Sequence, residues 1–324
     1  YDFHLVRESL AERERLLRAA PHIVEPLQFV MPLGEASRPA WMLGAGLFLY
    51  DRLGGKSELP GSRAARLDHD ALGLGLRAGV RNGYAYWDCR VQDSRLVVLN
   101  ALDAAERGAT ILTRTELVEA HREDGAWVAL LRGPAGEQSV RVRVLVNAAG
   151  PWAAELFDRL AGVRQRRRIR LVKGSHIVVP RLYDGEHAFI LQNPDGRVVF
   201  AIPFEERFTL VGTTEVPCDG PLDHPAISDA EMDYLLETLA RNFSRTVTRD
   251  AVVWSYSGLR ALVDDGSSDL SRVSRDYVLE LDAKGAPLLS VFGGKLTTYR
   301  RLAEHALEMI GDGIGAKGRP WTAD

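Results

Sequence analysis

The sequence has little cysteine, with 2 residues in 324, Cys89 and Cys218. Two thiols are too few for a disulfide framework, and they cannot form a zinc site by themselves. So low a cysteine content is typical of a protein in a reducing compartment. We therefore predict neither a disulfide-stabilised scaffold nor a metal centre.

Long hydrophobic runs are also lacking. The longest apolar stretch, residues 39–50, is shorter than the roughly 20 residues that a bilayer-spanning helix needs. The chain opens with an amphipathic, charged segment and not with a signal peptide. It has no initiator methionine, so we expect a piece of a longer protein.

Charge of one sign is not in excess. The 41 Lys and Arg residues nearly balance the 44 Asp and Glu, for a net charge of -3. Nucleic-acid binding by the whole chain is therefore disfavoured, because it needs a strongly basic surface. The 46% hydrophobic content is typical of a globular protein, and 324 residues predict two domains, or one domain with a large insertion.

The hydrophobic periodicity predicts helices and strands in alternation, which is an α/β (α+β) fold. The predicted helices are residues 3–20, 41–53, 95–107, 153–160, 228–242 and 297–310. The predicted strands are residues 109–112, 117–122, 126–132, 139–146, 169–172, 176–179, 188–191, 198–202, 208–211, 277–281 and 287–292. The long block of strands between two α/β pieces predicts a second domain inserted into the first.

Residues 288–300 are the most informative segment. A predicted strand leads into Gly293, Gly294 and Lys295, and then into a helix that begins with Thr297 and Thr298. Glycines let a ligand approach the backbone, and a helix N-terminus attracts negative charge such as that on a reduced flavin. The structural alternative is a plain strand–turn–helix corner with an exposed lysine.

Residues 147–152 have a similar architecture, in which a strand end is followed by small residues and a helix. Such a turn lets a cofactor or another backbone pack closely. The alternative is a tight structural turn with Trp152 in the core.

Three further residues are candidates for chemistry. His176 begins a strand, and histidine is a natural general base near neutral pH. Arg260 and Arg275 lie at the ends of strand-like segments and could bind a phosphate or carboxylate bidentately. The alternatives are a hydrogen-bonded structural histidine, and salt bridges of the arginines to Asp264, Asp265 or Asp276.

Two other patterns have simpler interpretations. The basic run of residues 164–173 is either a solvated face or a contact with an anionic membrane surface. Residues 73–78 match the form GxGxxA. They follow a polar segment and not an apolar strand, so they do not meet the requirements of a dinucleotide-binding site.

Five segments, taken in order, resemble the flavin-dependent glycerol-3-phosphate dehydrogenase family, with the closest likeness to the aerobic bacterial enzyme: residues 171–180, 211–215, 254–260, 274–277 and 291–300. The resemblance covers nearly the whole chain. It implies an incomplete FAD domain of the glutathione-reductase type, with an inserted antiparallel substrate domain as in D-amino-acid oxidase. The implied ranges are 1–165 for part of the FAD domain, 166–286 for the substrate domain and 287–324 for the return to the FAD domain.

The resemblance also implies an activity and its residues. The family oxidises sn-glycerol 3-phosphate to dihydroxyacetone phosphate by hydride transfer to FAD. It passes the electrons to quinone at the cytoplasmic face of the membrane. Arg260 and Arg275 would bind the phosphate, Lys295 would lie beside the substrate oxygens and the flavin C2 carbonyl, and His176 would be the base. The residues expected to contact FAD are Asn147, Ala148, Gly150, Pro151, Trp152, Gly293, Gly294, Lys295, Thr297 and Thr298.

The sequence departs from the family at both ends. It contains neither the family's N-terminal strand–GxGxxG–helix unit, which binds the ADP half of FAD, nor its C-terminal helical domain. We therefore expect a central fragment that by itself binds FAD weakly or not at all and is inactive.

Several alternatives stay open. The enzyme could use O2 and be a glycerophosphate oxidase, or this chain could be a non-catalytic core or a binding module. An amine or amino-acid oxidase is disfavoured, because it would have no use for two phosphate-directed arginines. Peripheral attachment to the membrane is expected, a homodimer is left open, and no nucleic-acid partner is expected.

Overall fold

The computed structural model describes residues 3–34, 38–165, 167–218, 220–264, 276–315 and 320–323. The chain divides into two compact units. Unit 1 consists of Tyr1–Val91 and Lys173–Leu259, and unit 2 consists of Gln92–Val172 and Arg260–Asp324. These boundaries differ from the three ranges expected from the resemblance, whose functional assignment stays a prediction.

Helices and strands are interleaved along the chain. The helices are α1 (Phe3–Ala19), α2 (Ala40–Leu53), α3 (Asp93–Glu106), α4 (Ala153–Leu156), α5 (Asp229–Asn242) and α6 (Tyr299–Ile314). The strands are β1 (Val24–Pro32), β2 (Arg63–Arg66), β3 (Asn82–Val91), β4 (Glu116–Glu123), β5 (Ala126–Gly133), β6 (Gly136–Val142), β7 (Leu145–Asn147), β8 (Ile169–Pro180), β9 (Ala188–Gln192), β10 (Val198–Phe204), β11 (Phe208–Gly212), β12 (Val216–Pro217), β13 (Trp254–Val263), β14 (Val278–Asp282) and β15 (Leu288–Phe292). This mixture is the predicted α/β class.

Unit 1 is built on a large, mainly antiparallel sheet. Its strand order is β12-β8-β11-β10-β9-β1-β3-β2, and β13 pairs with β8. The β8–β11, β11–β10 and β10–β9 pairs are antiparallel, whereas β9 and β1 run parallel. The antiparallel sheet predicted for residues 169–263 is therefore present, and residues 24–91 extend it.

Helices cover both faces of this sheet. Alternate residues of a strand point to opposite faces, and β1 shows this clearly. Val30 belongs to a buried cluster that contains Leu235 and Leu239 of α5. Its neighbour Phe29 belongs to another cluster, which contains Leu47 of α2. The apolar side chains of β1 thus bury against a different helix on each side.

Unit 2 combines two three-stranded sheets with the helices α3, α4 and α6. One sheet is the meander β4-β5-β6, and the other has the order β14-β15-β7. Trp127 of β5 is fully buried, and its indole N–H donates to the Pro287 carbonyl at 2.9 Å. Phe157 and Phe292 stack in the same core. The core of unit 2 therefore combines residues that come before position 173 in the sequence with residues that come after position 259.

Most of the predicted elements are present with small changes in their limits. The predicted strands 117–122 and 126–132 form the antiparallel pair β4–β5, joined by a hairpin turn at Asp124 and Gly125 with φ of 45° and 73°. An Asp-Gly pair between two strands is typical of such a turn. The strands predicted at 169–172 and 176–179 form one strand, β8. The helix predicted at 153–160 is a single turn, α4, flanked by 3₁₀ turns at Gly150–Trp152 and Phe157–Arg159.

Two strand predictions are wrong. Residues 109–112 form no strand, and Ile111 and Leu112 are exposed. The strand predicted at 139–146 divides into β6 and β7, which belong to different sheets. In both cases a β-rich segment lacks the continuous pairing partner that a strand requires.

Candidate functional site

Two glycine-containing turns lie at the same edge of a parallel strand pair in unit 2. β7 and β15 run parallel, with Ser290 opposite Asn147. β7 ends at Asn147 and leads into residues 148–152, and β15 ends at Phe292 and leads into residues 293–298. In α/β proteins, ligands bind at the carboxyl ends of neighbouring parallel strands, where the loops leave a crevice. The structure thus brings the two predicted turns together.

The side chain of Asn147 holds the first turn in shape. It is buried, its Nδ2 donates to the Ala153 carbonyl at 2.9 Å, and its Oδ1 accepts from the Ala149 N–H at 3.3 Å. The amide therefore ties the end of β7 to the start of α4. This role is structural, and contact of Asn147 with a cofactor stays a prediction.

The rest of the first turn presents an open surface. Gly150 has a φ of +57°, and a Cβ added there would meet no described atom within 4 Å. Ala148 is exposed and Pro151 is half-buried. Trp152 is 42% exposed, so it does not lie in the core as the structural alternative required. A flat aromatic ligand could therefore approach this turn.

The second turn is a close backbone corner that carries a positive charge. Gly293 and Gly294 have φ of +72° and +105°. A Cβ added at Gly293 would lie 2.8 Å from the Asp276 carbonyl oxygen, so a larger residue does not fit. Lys295 follows as the N-cap of the 3₁₀ turn Leu296–Thr298, which leads into α6. Its ammonium group adds to the positive potential of a helix start.

Thr297 and Thr298 lie in the same 3₁₀ turn. Thr298 is buried, and both its N–H and its hydroxyl donate to the Lys295 carbonyl, at 3.1 and 3.4 Å. Thr297 is half-buried. The hydroxyl of Thr298 thus stabilises the corner, and its contact with a cofactor stays a prediction.

Arg260 lies near this corner. The carbonyl oxygen of Ala261, the next residue on β13, is 3.7 Å from a Cβ built on Gly293. Asp264 at the end of this segment accepts a hydrogen bond from Arg170 at 2.8 Å. The backbone of β13 beside Arg260 therefore approaches Gly293, whereas Arg275 lies outside the described residues.

His176 lies on β8 of unit 1, between residues of two neighbouring strands. Its ring is stacked on Tyr256 of β13, with 4.9 Å between the centroids and 7° between the planes. A Cβ added to Gly212 of β11 would lie only 2.1 Å from its Cδ2. The sequence indicated His176 but not Gly212 or Tyr256. Both lie in the segments that carry the resemblance, but no spacing shows that strand pairing brings them to His176.

A buried carboxylate lies on α5 close to the same strands. Glu231 is hydrogen-bonded or ion-paired to four residues: Lys173, Ser175, Thr214 and Ser228. Burial by itself raises the pKa of the Glu231 carboxyl, but these donors outweigh burial and lower the pKa to about 2. The group is therefore ionised at neutral pH and ties the start of α5 to the sheet.

Three of the cations in the basic run form ion pairs. Arg167 pairs with Glu280, Arg170 with Asp264, and Lys173 with Glu231. These pairs favour a structural role for the three cations. A role for the segment at a membrane surface stays a prediction.

Among the described residues, no group of three or more His, Cys, Asp or Glu side chains could hold a metal ion. Over the same residues, none of the helices combines the length and the apolar character needed to cross a bilayer.

The two turns after β7 and β15, residues 148–152 and 293–298, together form what we call the unit 2 corner. Its chemistry suits a flavin. Gly150 leaves the backbone of the first turn open, because a Cβ there would meet no described atom within 4 Å. A Cβ at Gly293 would instead meet the Asp276 carbonyl, and one at Gly294 would lie 3.1 Å from Leu302 Cδ1, so these two glycines serve close packing of the corner. The carbonyl groups of the isoalloxazine pyrimidine ring are stabilised by N–H donors and positive charge, which Lys295 and the adjoining helix start supply. FAD is therefore compatible with the residues at this corner.

Comparison with known proteins supports this interpretation. Residues 1–300 match the family model described as FAD dependent oxidoreductase. A glycerol-3-phosphate dehydrogenase from Pseudomonas aeruginosa is 50% identical over 326 residues, which is 100% of this chain and 63% of that protein. A D-erythritol 1-phosphate dehydrogenase from Brucella abortus is 47% identical over 327 residues, or 100% of this chain and 65% of that protein.

A solved structure has the same fold. The glycerol-3-phosphate dehydrogenase from Bacillus halodurans complexed with FAD has a TM-score of 0.75 and 24% identity, and the match covers 98% of this chain and 57% of that one. The chain thus spans less than two thirds of the length of these relatives. Because the family model matches most of its length, this chain belongs to the FAD-dependent oxidoreductase family.

Proposed function

We propose that the protein containing this chain oxidises sn-glycerol 3-phosphate to dihydroxyacetone phosphate and passes the electrons to a quinone. The observation that carries the proposal is the unit 2 corner, where two glycine turns, Lys295 and the backbone of β13 beside Arg260 lie together. The open backbone at Gly150 supports a cofactor site at this corner, and the cations suit a phosphorylated substrate. The name of the 50% identical Pseudomonas aeruginosa relative supports the same substrate.

Each proposed role follows from the chemistry of the side chain. Arg260, together with Arg275, binds the phosphate, because a planar guanidinium matches two phosphate oxygens. Lys295 neutralises charge beside the substrate oxygens. His176 accepts the proton of the C2 hydroxyl while a C=O bond forms. FAD, when bound, supplies the acceptor for the hydride that leaves C2.

A second substrate deserves the same test. A relative 47% identical over the whole chain carries the name D-erythritol 1-phosphate dehydrogenase. Both molecules are polyol phosphates, so the arginines and Lys295 would serve either. The longer polyol needs more room beyond the phosphate, and the comparison of kcat/KM for the two substrates decides between them.

The electron acceptor is proposed to be a quinone at the cytoplasmic face of the membrane, with peripheral attachment of the protein. Reoxidation by O2 is the alternative, and it would release peroxide. These acceptors differ in a measurable product, so one assay separates them.

The experiment uses the full-length flavoprotein. Bleaching of the flavin absorbance is measured on mixing with sn-glycerol 3-phosphate, D-erythritol 1-phosphate or glycerol in the absence of oxygen, and turnover is then measured with quinone or with O2. Rapid bleaching by a polyol phosphate but not by glycerol supports the proposal. Bleaching by glycerol alone, or by none of the three compounds, contradicts it. Peroxide as the main product would contradict the proposal that a quinone is the electron acceptor.

A further inference from the structure

The imidazole of His176 fills the space that a side chain at position 212 would need, and residue 212 is a glycine. In the β8–β11 ladder, Gly212 is the residue directly opposite His176. A Cβ at Gly212 would lie 2.1 Å from Cδ2, 2.6 Å from Cγ and 2.7 Å from Nε2 of that ring. The φ of Gly212 is not positive, so the backbone conformation does not require glycine there. The requirement is space, because the ring occupies the place of the missing side chain.

The second face of the same ring is covered by Tyr256. The two rings are nearly parallel, at 7°, and their centroids are 4.9 Å apart. Tyr256 also contacts Trp254, with 5.3 Å between the ring centroids. Tyr256 is 39% exposed and Trp254 is 58% exposed, so this aromatic row lies on an open face of the unit 1 sheet. His176 is thus held between a glycine backbone and an aromatic ring.

Hydrogen bonds on the opposite face hold the two strands that carry these rings. Ser175 precedes His176 and Ser257 follows Tyr256, and their hydroxyl oxygens are 2.8 Å apart. The Ser175 hydroxyl also lies 2.8 Å from the buried Glu231 carboxylate. Because successive side chains of a strand alternate between faces, this contact lies behind the stacked rings and fixes one strand against the other.

We propose that Gly212 and Tyr256 are positioning residues that set the orientation of the His176 imidazole for proton transfer from the substrate. The inference rests on the proposed function, in which His176 is the base. A base must hold its ring nitrogen within hydrogen-bond reach of the proton that it removes. A ring confined on both faces keeps that geometry without rearranging at each turnover.

The test compares four variants of the full-length flavoprotein. Gly212→Ala displaces the ring from one side, and Tyr256→Leu removes the stack on the other. Tyr256→Phe keeps the aromatic ring and is the conservative rescue. Gly220→Ala is the matched control, since a Cβ there meets nothing within 4 Å. For each, kcat and KM for the polyol phosphate are measured, together with the NMR shift of the His176 ring protons in ¹³C-histidine-labelled protein.

A stacked ring shifts the His176 protons upfield, so we expect that shift in the wild type and in Tyr256→Phe but not in Tyr256→Leu. We expect kcat to fall by about 10- to 100-fold in Gly212→Ala and Tyr256→Leu with KM little changed, because a displacement of about 1 Å has costs of this size. Gly220→Ala and Tyr256→Phe are expected to match the wild type in kcat.

Two kinds of failure can be told apart. An active wild type with unchanged kcat in Gly212→Ala and Tyr256→Leu would overturn this inference and leave the proposed function standing. The same holds if the His176 resonances do not move in Tyr256→Leu. A folded wild type that oxidises no polyol phosphate would overturn the proposed function and the kinetic role with it.

Discussion

Arg260 and Lys295 are 35 positions apart in the sequence, yet the backbone of β13 at Ala261 reaches the turn at Gly293. The sequence could name both residues, because each follows a strand-like segment. It could not show that they are close, since that depends on how β13 and β15 pack in unit 2. At the scale of single residues, the testable consequence is that each proposed arginine contributes to binding the phosphate group of the substrate.

We expect Arg260→Ala to raise KM for the polyol phosphate by about 10- to 100-fold and to lower kcat much less. A lost hydrogen bond to a charged group costs about 1.5–3 kcal/mol, and each 1.4 kcal/mol is about tenfold in affinity. Arg275→Ala is expected to behave in the same way. Steady-state kinetics on the full-length flavoprotein measure both, with the exposed Arg249→Ala as the control. An unchanged KM in either variant removes that arginine from the phosphate site.

At the scale of elements, α5 has a helix cap that the sequence can reveal and a contact with β8 that the sequence cannot reveal. Ser228 and Glu231 form a capping box, of which the spacing Ser-x-x-Glu at the start of a helix is the sequence signature. The same Glu231 also pairs with Lys173 and accepts a hydrogen bond from Ser175, both on β8. The pattern could not show this second role, because the packing of α5 on the sheet creates it.

This contact predicts how stability depends on pH. The pKa of Glu231 is about 2 in the folded chain and ordinarily 4.5. A lowered pKa stabilises the fold at pH above 4.5, and this contribution is lost as the pH falls from 4.5 towards 2. The contribution is about 3 kcal/mol at neutral pH.

We therefore expect Glu231→Gln to lower the free energy of unfolding by about 3 kcal/mol at pH 7 and to weaken its dependence on pH in the acid range. Urea denaturation at several pH values measures both effects. Glu237→Gln, on the same helix with a side chain 71% exposed, is the control and should change stability by less than about 1 kcal/mol. Equal losses in the two variants would contradict a special role for Glu231.

A second test at this scale compares a glycine with a left-handed backbone conformation and a glycine inside a helix. Gly125 has a φ of +73° in the β4–β5 hairpin, whereas Gly46 lies within α2, where a Cβ would meet nothing within 4 Å. Alanine at Gly125 is expected to cost about 1–2 kcal/mol, because the left-handed conformation strains its Cβ. Alanine at Gly46 should gain about 0.5–1 kcal/mol. Thermal unfolding reports both, and shifts of the same sign would contradict the turn geometry.

Strands were harder to predict than helices, and β1 shows why. Its two prolines, Pro26 and Pro32, argue against a strand inside a sheet. Yet both prolines lie opposite residues of β3, Cys89 and Gly83, while the ladder to β9 pairs only Phe29 and Val30. Among the described strands, β1 is therefore paired on one side only at both prolines, where a proline is better tolerated. Conversely, residues 109–112 have the composition of a strand but find no partner in the part of the chain that the structure describes. A helix satisfies its backbone locally, whereas a strand needs a neighbour from elsewhere in the chain.

At the scale of the whole molecule, each compact unit joins two distant stretches of the chain. The core cluster of unit 1 combines Val30 and Ala85 from the first stretch with Ile177, Val199 and Leu239 from the second. Residues 1–91 therefore cannot bury their apolar side chains alone.

We expect a chain of residues 1–91 to be unfolded in isolation, whereas its strands β1, β2 and β3 belong to the unit 1 sheet in the 324-residue chain. β1 would lose its partner β9, and the buried face of β3 would lose α5. Amide NMR dispersion and far-UV circular dichroism of the two chains provide the measurement. A dispersed spectrum from residues 1–91 would show that the first stretch folds without the second.

By itself, the sequence determined the α/β class, the helices α1, α2, α3, α5 and α6, the β4–β5 hairpin and the identities of the candidate site residues. Each of these follows from local periodicity, capping and turn chemistry, or from the resemblance of short segments. Only the tertiary structure decided which stretches share a unit, that the turns after β7 and β15 meet at one edge, and that His176 lies between Gly212 and Tyr256. The reason is physical, because these contacts join residues far apart in the chain, and strand pairing and side-chain packing select them after the local elements are set.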